Sequence, residues 1–328
     1  MKIALLGVRG STPAPGAAFD RYGGHTSSVA VLGDRSDRPV LVLDAGTGIR
    51  SLTDLLRGKP FRGAVVLSHL HWDHVHGLPF CPALDALEAE VELWVPGSEG
   101  DPAAESGGAQ ALLARLMSPP FFPIGPEGLL GTWSFRTALP GRLDSRLLDG
   151  AVVEVAPVRH KGGVTFAIRV DLDGESLAYV PDHVLGATDD DALAGRSGDA
   201  AAVELIHGVD VLLHDGQFAG PQEKRLAAEY GHSTIEDAVA WADRCRAGSL
   251  VLTHHAPSRS DDSLDELAER FTQTPEGRPV SFARQGTMLT ISGRRDELAS
   301  PSRAGEAWTS SAPARSTPPA HRSPIRGW

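Results

Sequence analysis

The residues best suited to chemistry form one cluster at positions 68–77, where the chain reads SHLHWDHVHG. Four side chains there give the pattern HxHxDH: His69, His71, Asp73 and His74. Three imidazoles and a carboxylate within six residues are ligand types that a borderline cation such as zinc prefers. The cluster follows the apolar run 64–67, and a loop leaving a buried strand can direct such side chains into one cavity. The pattern therefore predicts a metal site; the alternative is a set of solvated or core histidines.

Four more polar side chains follow predicted strands at the point where each strand ends. They are His160 after residues 152–158, Asp182 after 177–180, Asp215 after 209–213, and His254 after 249–253. A rigid sheet with chemistry on its loops gathers polar groups at such strand ends. A single histidine there is more often a hydrogen-bonded structural residue. Together with the HxHxDH cluster, however, these four side chains could complete two metal sites.

The elements that must position these groups alternate along the chain. Apolar runs predict strands at 2–7, 28–32, 39–43, 64–67, 91–95, 152–158, 164–170, 177–180, 209–213 and 249–253. Apolar spacing predicts helices at 47–56, 200–206, 235–246 and 264–271. Residues 96–131 are rich in Gly, Pro and Ala and predict a long insertion near the cavity, with a short helix around 109–117. Two groups of strands with helices outside them indicate a layered αββα sandwich.

Composition limits the function classes. The chain has 328 residues, of which 41% are hydrophobic and 22% charged, which is typical of soluble globular proteins. We find no apolar stretch near the ~20 residues of a membrane span and no signal-peptide pattern, so we expect a cytoplasmic protein. Cys81 and Cys245 are far apart and indicate no disulfide framework. The net charge of −11 argues against a surface built mainly to attract nucleic acid.

The last 35 residues differ from the rest. We expect one domain at 1–293 and a disordered tail at 294–328, which is rich in Pro, Ser and Arg. The tail carries six Arg and three acidic residues, so its charge is +3 and that of residues 1–293 is −14. The tail could be a solvated terminus or an arginine-bearing arm that contacts RNA or a partner, and the sequence is compatible with both.

Nearly all of residues 1–293 resembles the metallo-β-lactamase-fold hydrolases, and in particular their phosphodiesterase branch, which includes tRNase Z and cyclic phosphodiesterases. The resemblance rests on GVRGSTPAPG, YGGHTSS, LVLDAGTGIR, SHLHWDH, HKGGVTFAIRV, LAYVPDH, LLHDGQFAG, YGHSTIEDAV and LVLTHHAP. HxHxDH marks the whole superfamily, whereas GHST with the downstream TH points to the phosphodiesterases. The resemblance implies an α/β fold, the four-layer αββα metallo-β-lactamase sandwich.

The resemblance also implies a ligand set. One metal ion would be bound by His69, His71 and His160, and the second by Asp73, His74 and His254. Asp182 would bridge both ions, which we expect to be zinc, with manganese as the alternative. His255 competes with His254 for the last ligand position. Asp44 resembles the carboxylate that orients ligating imidazoles, although it could instead form the turn before the helix at 47–56.

The chemistry expected of two such ions is hydrolysis of a phosphodiester by a metal-activated hydroxide. Asp73 would orient the attacking water or take its proton. The resemblance places His232 as proton donor to the leaving group, with Asp215 as its acidic partner. tRNase Z enzymes tend to carry Glu at that position, so the shorter Asp215 leaves the geometry of the pair open. Alternatively, His232 only flanks the cap of the next helix.

Other features leave the substrate open. The family often has Asn where this chain has His25, an extra imidazole expected near the cavity mouth. The chain lacks the long basic arm with which tRNase Z grips tRNA, so small phosphodiesters such as cyclic nucleotides stand beside an RNA 3′ end as substrates. The sequence is also compatible with assembly of the chain into a homodimer. Two further hypotheses are a hydrolase of lactams, lactones or thioesters and a metal-binding sensory module without turnover.

Overall fold

Runs of consecutive apolar residues form strands that are buried on both faces. In β1 (Lys2–Gly7), Ile3 and Leu5 face the second sheet, whereas Ala4 and Leu6 pack against helices on the outer side. Because side chains alternate along a strand, a continuous apolar run fits a sheet covered on both faces. The computed structural model describes residues 1–98, 100, 107–185 and 199–291.

The described strands form two seven-stranded sheets. The strands of the first sheet are β1, β2 (Ser28–Leu32), β3 (Pro39–Leu43), β4 (Arg62–Val66), β5 (Glu90–Pro96), β6 (Thr132–Ala138) and β14 (Met288–Thr290). The strands of the second sheet are β7 (Gly141–Leu143), β8 (Val152–Pro157), β9 (Phe166–Leu172), β10 (Glu175–Val180), β11 (Val211–Asp215), β12 (Ser249–Thr253) and β13 (Val280–Phe282). Their spatial orders are β14-β1-β2-β3-β4-β5-β6 and β13-β12-β11-β10-β9-β8-β7.

Helices cover the outer faces of both sheets. The α-helices of the described ranges are α1 (Leu52–Leu55), α2 (Trp72–Val75), α3 (Gly108–Ala114), α4 (Ala200–Ile206), α5 (Gly220–Tyr230), α6 (Ile235–Arg244) and α7 (Asp261–Arg270). Short 3₁₀ helices lie at Ala17–Phe19, Thr47–Ser51, Leu78–Phe80, Pro126–Gly128 and Arg146–Leu148. Within the described ranges, no helix combines the length and the apolar character needed to span a bilayer.

Three apolar clusters separate four layers. The central cluster lies between the sheets and joins residues such as Leu43 and Val66 to Ile168 and Leu177. A second cluster packs the first sheet against α1 and α3, and a third packs the second sheet against α4, α6 and α7. This arrangement confirms the αββα sandwich expected from the sequence.

Several elements differ from the sequence prediction. The helix predicted at 47–56 begins as the 3₁₀ helix Thr47–Ser51 and becomes α-helical only at α1. The sequence analysis missed α5, where Ala227 is the one buried residue and apolar periodicity is therefore weak. It also missed β6, which is partly exposed, and three strands of three residues each, β7, β13 and β14.

Other predictions fall partly outside the described residues. The insertion at 96–131 contains α3, but residue 99 and residues 101–106 are not described. The tail at 294–328 and the domain boundary before it also lie outside the described ranges. Cys81 and Cys245 are free and buried.

The central cluster should provide much of the stability of the sandwich. We expect Leu177→Ala, at a fully buried position of this cluster, to lower the free energy of unfolding by about 2–5 kcal/mol, because it removes packed methyl groups and leaves a cavity. Leu87→Ala is the matched control, since Leu87 is 75% exposed, and it should change stability by less than about 0.5 kcal/mol. Denaturant unfolding of both variants measures the difference, and equal losses would contradict this description of the core.

Candidate metal centre and active site

The carboxyl ends of four strands of the second sheet bring distant residues to one edge. β10, β11 and β12 are parallel neighbours, with Val180 paired to His214 and Asp215 paired to Thr253. Asp182 and His254 follow directly on these strands. β8 runs in the same direction, because it is antiparallel to β9, which is antiparallel to β10. His160 therefore leaves β8 at the same edge.

The HxHxDH residues reach this edge from the first sheet. β4 ends at Val66, and the loop after it carries His69 and His71. His71 has an extended backbone and precedes α2, whose first turn carries Asp73 and His74. One short segment thus presents two imidazoles from an extended loop and two more donors from a helical turn. The sequence prediction of a plain loop overlooked this turn.

The structure gathers three overlapping groups of candidate metal ligands. The donor atoms of each group lie within 4.8 Å of one another. The first group is His69, His71, His160 and Asp182, the second is Asp73, His74 and His254, and the third joins His232 to Asp182 and His254. The first two groups contain the seven residues singled out as ligands from the sequence, and all seven are brought together.

Asp182 lies between the first two groups and faces both. Its Oδ2 atom is 3.4 Å from Nε2 of His69 and 3.4 Å from Nε2 of His160. Its Oδ1 atom is 3.0 Å from Nε2 of His254 and 3.3 Å from Nε2 of His74. One carboxylate therefore offers one oxygen to each group.

The spacing of the donors fits divalent cations. Nε2 of His160 lies 3.2 Å from Nδ1 of His71, and Nε2 of His74 lies 3.3 Å from Nε2 of His254. Two nitrogens bound to a tetrahedral zinc ion at about 2.0–2.1 Å would be about 3.3 Å apart. His69 Nε2 is also buried without a hydrogen-bond partner among the described residues. Buried polar atoms rarely lack a partner unless an ion or water supplies one.

The imidazoles of the first group are suited to ligation. Burial lowers the pKa of each of these rings below its ordinary value, because a charged imidazole is poorly solvated inside the protein. The three rings are those of His69, His71 and His160. They are therefore neutral at neutral pH and keep a lone pair for a cation.

The second group shows the opposite effect. Burial would lower the pKa of His254, but Asp182 and Asp73 outweigh burial and raise it to about 10. The pKa of His74 is likewise raised well above its ordinary value, against burial, by Asp73 and Asp182. The carboxylates thus create a negative potential that favours positive charge at this point, whether it comes from a proton or from a metal ion.

Hydrogen bonds behind the donors fix the orientation of the rings. Asp44 is fully buried, and its Oδ2 atom accepts hydrogen bonds from Nδ1 of His74 at 2.7 Å, from the Ser68 hydroxyl at 2.8 Å and from the Tyr179 hydroxyl at 2.9 Å. Its Oδ1 atom accepts from the Ser68 amide at 2.7 Å. Nδ1 of His160 donates to the Gly231 carbonyl at 2.6 Å. Asp44 thus contacts a candidate ligand directly, as expected from LDAGTG, and Tyr179 is a partner that the sequence did not reveal.

The N-terminal loop closes the other side of the centre. The Ser11 amide donates to Oδ2 of Asp73 at 2.7 Å. Gly10 packs so closely on His254 that a Cβ atom there would lie 2.3 Å from Nδ1 of the ring. The sequence analysis assigned no role to these residues, although the glycine of GVRGS was a signal of a close approach.

His232 and Asp215 form a pair beside the candidate ligands. Nδ1 of His232 donates to Oδ2 of Asp215 at 2.9 Å, so the shorter acid does reach the ring. Asp215 is fully buried and also accepts from the backbone amides of Gln217 at 3.0 Å and Ser233 at 3.2 Å. Burial would raise the pKa of Asp215, but His232 lowers it below its ordinary value. Thr234 caps α6 by accepting a hydrogen bond from the Asp237 amide, so His232 does flank the cap, but its ring also pairs with Asp215.

A cavity of about 670 Å³ opens above these groups. It is lined by Ser11, Leu70, His71, Trp72, Asp73, His160, Lys161, Gly162, Asp182, Gln217, Phe218, Tyr230, His232 and His254. Five of the seven candidate ligands therefore share this cavity with the His232 ring, whereas the buried His69 and His74 are not among its described lining residues. Lys161 is the only lysine or arginine among these lining residues.

Two other histidines are not among the described residues that line the cavity. Nδ1 of His25 is 3.2 Å from the Thr47 hydroxyl. Nε2 of His255 donates to the Ala283 carbonyl at 2.9 Å, and its ring packs edge-on against Tyr22. The geometry therefore favours His254 over His255 as the candidate ligand.

Comparison with known proteins agrees with this geometry. The family model described as "Beta-lactamase superfamily domain" matches residues 40–255. The chain belongs to this superfamily. It is 30% identical to the ribonuclease Z of Shouchella clausii over 215 residues, which are 58% of this chain and 68% of that protein.

Solved structures share the fold at lower identity. The short form of human tRNase Z aligns with a TM-score of 0.57 at 20% identity, covering 89% of this chain and 100% of that one. A diphosphatase from the PhnP family aligns with a TM-score of 0.60 at 18% identity, covering 89% and 98%. The chain is thus a metal-dependent hydrolase of the ribonuclease Z-like branch, and the family resemblance drawn from its motifs is confirmed.

The position of Asp44 leads to a test of ligand orientation. We expect Asp44→Asn to weaken metal affinity by about 10- to 100-fold, because the amide replaces the charged acceptor of the His74 ring. Asn is suited to this position because Asp44 has a φ of 59°, which Asn tolerates. Tyr179→Phe removes only one hydrogen bond to the same oxygen and should have a smaller effect. Titration with a chelating indicator measures both affinities, and an unchanged affinity in Asp44→Asn would contradict the orienting role.

Proposed function

We propose that this chain is a two-metal phosphodiesterase that acts on an RNA 3′ end or on a small phosphodiester such as a cyclic nucleotide. The observation that carries the proposal is the Asp182 carboxylate, which presents one oxygen to each of two donor groups. In this proposal the first group, which includes Asp182, would hold one ion. The second group would hold the other ion together with the same Asp182 carboxylate. Zinc fits the imidazole-rich donor set, and manganese is the alternative.

The metal ions would supply Lewis acidity, which lowers the pKa of a water molecule and offsets the negative charge that develops on the phosphate. This chemistry favours phosphodiesters, because their transition state carries more negative charge than that of a neutral acyl compound. Residues of both donor groups line one cavity, His71, His160 and Asp182 from the first and Asp73 and His254 from the second, so a substrate phosphate in that cavity would lie next to both groups.

Asp73 is proposed to orient the attacking water. Its side chain lines the cavity, and its Oδ2 atom is held by the Ser11 amide and by Nε2 of His254 at 3.1 Å. Burial would raise the pKa of Asp73, but His74 and His254 hold it well below its ordinary value. Asp73 therefore stays ionised and can accept a hydrogen bond from water at neutral pH.

His232 is proposed to protonate the leaving alkoxide. Asp215 accepts a hydrogen bond from Nδ1 of His232, which orients the ring with Nε2 free to act on the leaving group. The ring lines the cavity and lies 5.2 Å, between centroids, from the rings of both His160 and His254. An alkoxide that leaves a phosphodiester needs a proton donor, and this pair lies where it could supply one.

RNA and small phosphodiesters both fit the proposal. The ribonuclease Z relatives favour RNA, whereas the net charge of −11 and the single lysine at the cavity favour a small substrate. Hydrolysis should be measured with metal-loaded protein on precursor tRNA, on 2′,3′- and 3′,5′-cyclic nucleotides, and on a lactam and a lactone. Turnover of the acyl compounds alone would contradict the proposal. Residence in the cytoplasm and pairing into a homodimer stay predictions.

The donor set predicts that metal content and turnover depend on different histidines. Purified protein should carry about two zinc or manganese ions and hydrolyse bis-p-nitrophenyl phosphate. His71→Ala should lose metal and activity, because a candidate ligand is removed. His232→Ala should keep both ions but lose about 10²- to 10⁴-fold in kcat, because only the proton donor is removed. Elemental analysis and steady-state kinetics measure these quantities.

Three outcomes would count against these roles. Equal metal loss in the two variants would make His232 a ligand rather than a proton donor, a possibility raised by its closeness to Asp182 and His254. An unchanged rate in His232→Ala would favour the acyl-hydrolase alternative. A stable protein that binds metal but turns over none of these substrates would favour the metal-binding sensory module.

A further inference from the structure

Trp72 occupies an unusual place for a large apolar side chain. It lies at the start of α2, between the candidate ligands His71 and Asp73, and it is 73% exposed. An exposed tryptophan contributes nothing to the core, and its two chain neighbours both belong to the candidate metal centre. Because consecutive Cα atoms are only about 3.8 Å apart, the indole is within reach of a substrate held at the metal centre.

Trp72 also borders a second cavity, of about 260 Å³. The described residues that line this cavity are Trp72, Val75, His76, Leu78, Pro79, Phe80, Leu113, Leu116, Met117, Phe121 and Phe122. Trp72 lines both this cavity and the cavity above the candidate ligands, so the two adjoin at its side chain. Phe80 and Phe122 meet edge to face at a centroid distance of 5.7 Å, and Phe121 is 85% exposed.

We propose that this second cavity is an aromatic subsite that holds a nucleobase of the substrate, with Trp72 as the stacking platform between the base and the scissile phosphate. The inference rests on the proposed phosphodiesterase function and narrows its substrate class to nucleotides. Trp72 is then a specificity-determining residue rather than a ligand or a proton donor.

The size and polarity of the cavity favour this occupant. At about 260 Å³ it is smaller than the roughly 300–1,000 Å³ of cavities that hold drug-sized molecules, so it fits one planar ring system rather than a longer chain. His76 is the only described lining residue with a titratable side chain, so the cavity suits an uncharged group. A nucleobase is planar and uncharged, and it is attached through a ribose to the phosphate that the adjacent metal centre would bind.

Equilibrium binding to the metal-loaded protein tests the subsite without requiring turnover. Wild-type protein should bind adenosine 5′-monophosphate about 5- to 100-fold more tightly than ribose 5-phosphate, because stacking of a base on an aromatic side chain contributes at this level. Trp72→Ala should bring this ratio close to one through loss of nucleotide affinity alone. Trp72→Phe should retain most of the preference, since it keeps an aromatic face. Isothermal titration calorimetry gives both affinities.

Two further variants separate the subsite from general damage. Phe121 also lines the second cavity but is distant in sequence from the candidate ligands. Phe121→Ala should therefore reduce the ratio of the two affinities without changing a residue next to a candidate ligand. Leu87→Ala, which removes a side chain that is equally exposed but lines neither cavity, should leave the ratio unchanged. Metal content measured on each sample shows whether the donor set is intact.

The outcomes distinguish this inference from the proposed function. A wild-type ratio near one, or a ratio that Trp72→Ala does not change, overturns the subsite even if phosphodiesters are hydrolysed. A ratio that depends on Trp72 supports the subsite, and absence of turnover in the same protein then counts only against the hydrolytic step. A shift of oligomeric state in Trp72→Ala with an unchanged ratio would instead identify the surface as a contact between two copies of the chain.

Discussion

The candidate centre depends on one constraint, which is that buried carboxylates need compensating positive charge. Asp182 and Asp44 are buried with almost no contact with solvent, and desolvation of such charges is costly unless a partner is present. His74 and His254, whose pKa values are raised, supply positive charge at 3.3 and 3.0 Å from Oδ1 of Asp182, whereas the neutral rings of His69 and His160 lie 3.4 Å from Oδ2. Asp44 obtains hydrogen bonds from His74, Ser68 and Tyr179. The rest of the site is arranged around these two charges.

The sandwich supplies the rigidity that this arrangement needs. Donors come from the first sheet through the loop after β4 and from the second sheet through the ends of β8, β10 and β12. Small shifts between the sheets would separate Asp182 from His74, whose contact is 3.3 Å. The apolar cluster between the sheets, which includes Leu43 and Leu177, resists such shifts because interiors are close-packed.

Much of the fold and of the candidate site follows from local sequence. Strands such as 2–7 and 249–253 were predictable because they are apolar runs bounded by turns. The candidate ligands were recognisable because HxHxDH places four possible ligands within six residues and because the other histidines and aspartates follow predicted strands. α5 was missed because its exposed sequence carries little periodic signal. The contacts of Tyr179 with Asp44 and of Gly10 with His254 join residues more than a hundred positions apart. Such contacts depend on how the sheets pack, which local patterns do not encode.

The wide separation of the donors along the chain has a consequence for synthesis on the ribosome. His254 contacts Asp73 across 181 positions, and β1 pairs with both β2 and the late strand β14. Contacts of this range form late in folding, because a long loop must close first. A nascent polypeptide that has emerged only as far as β10 therefore carries the HxHxDH segment but no complete centre, and assembly of the reactive site waits until β12 has been translated and has joined its sheet.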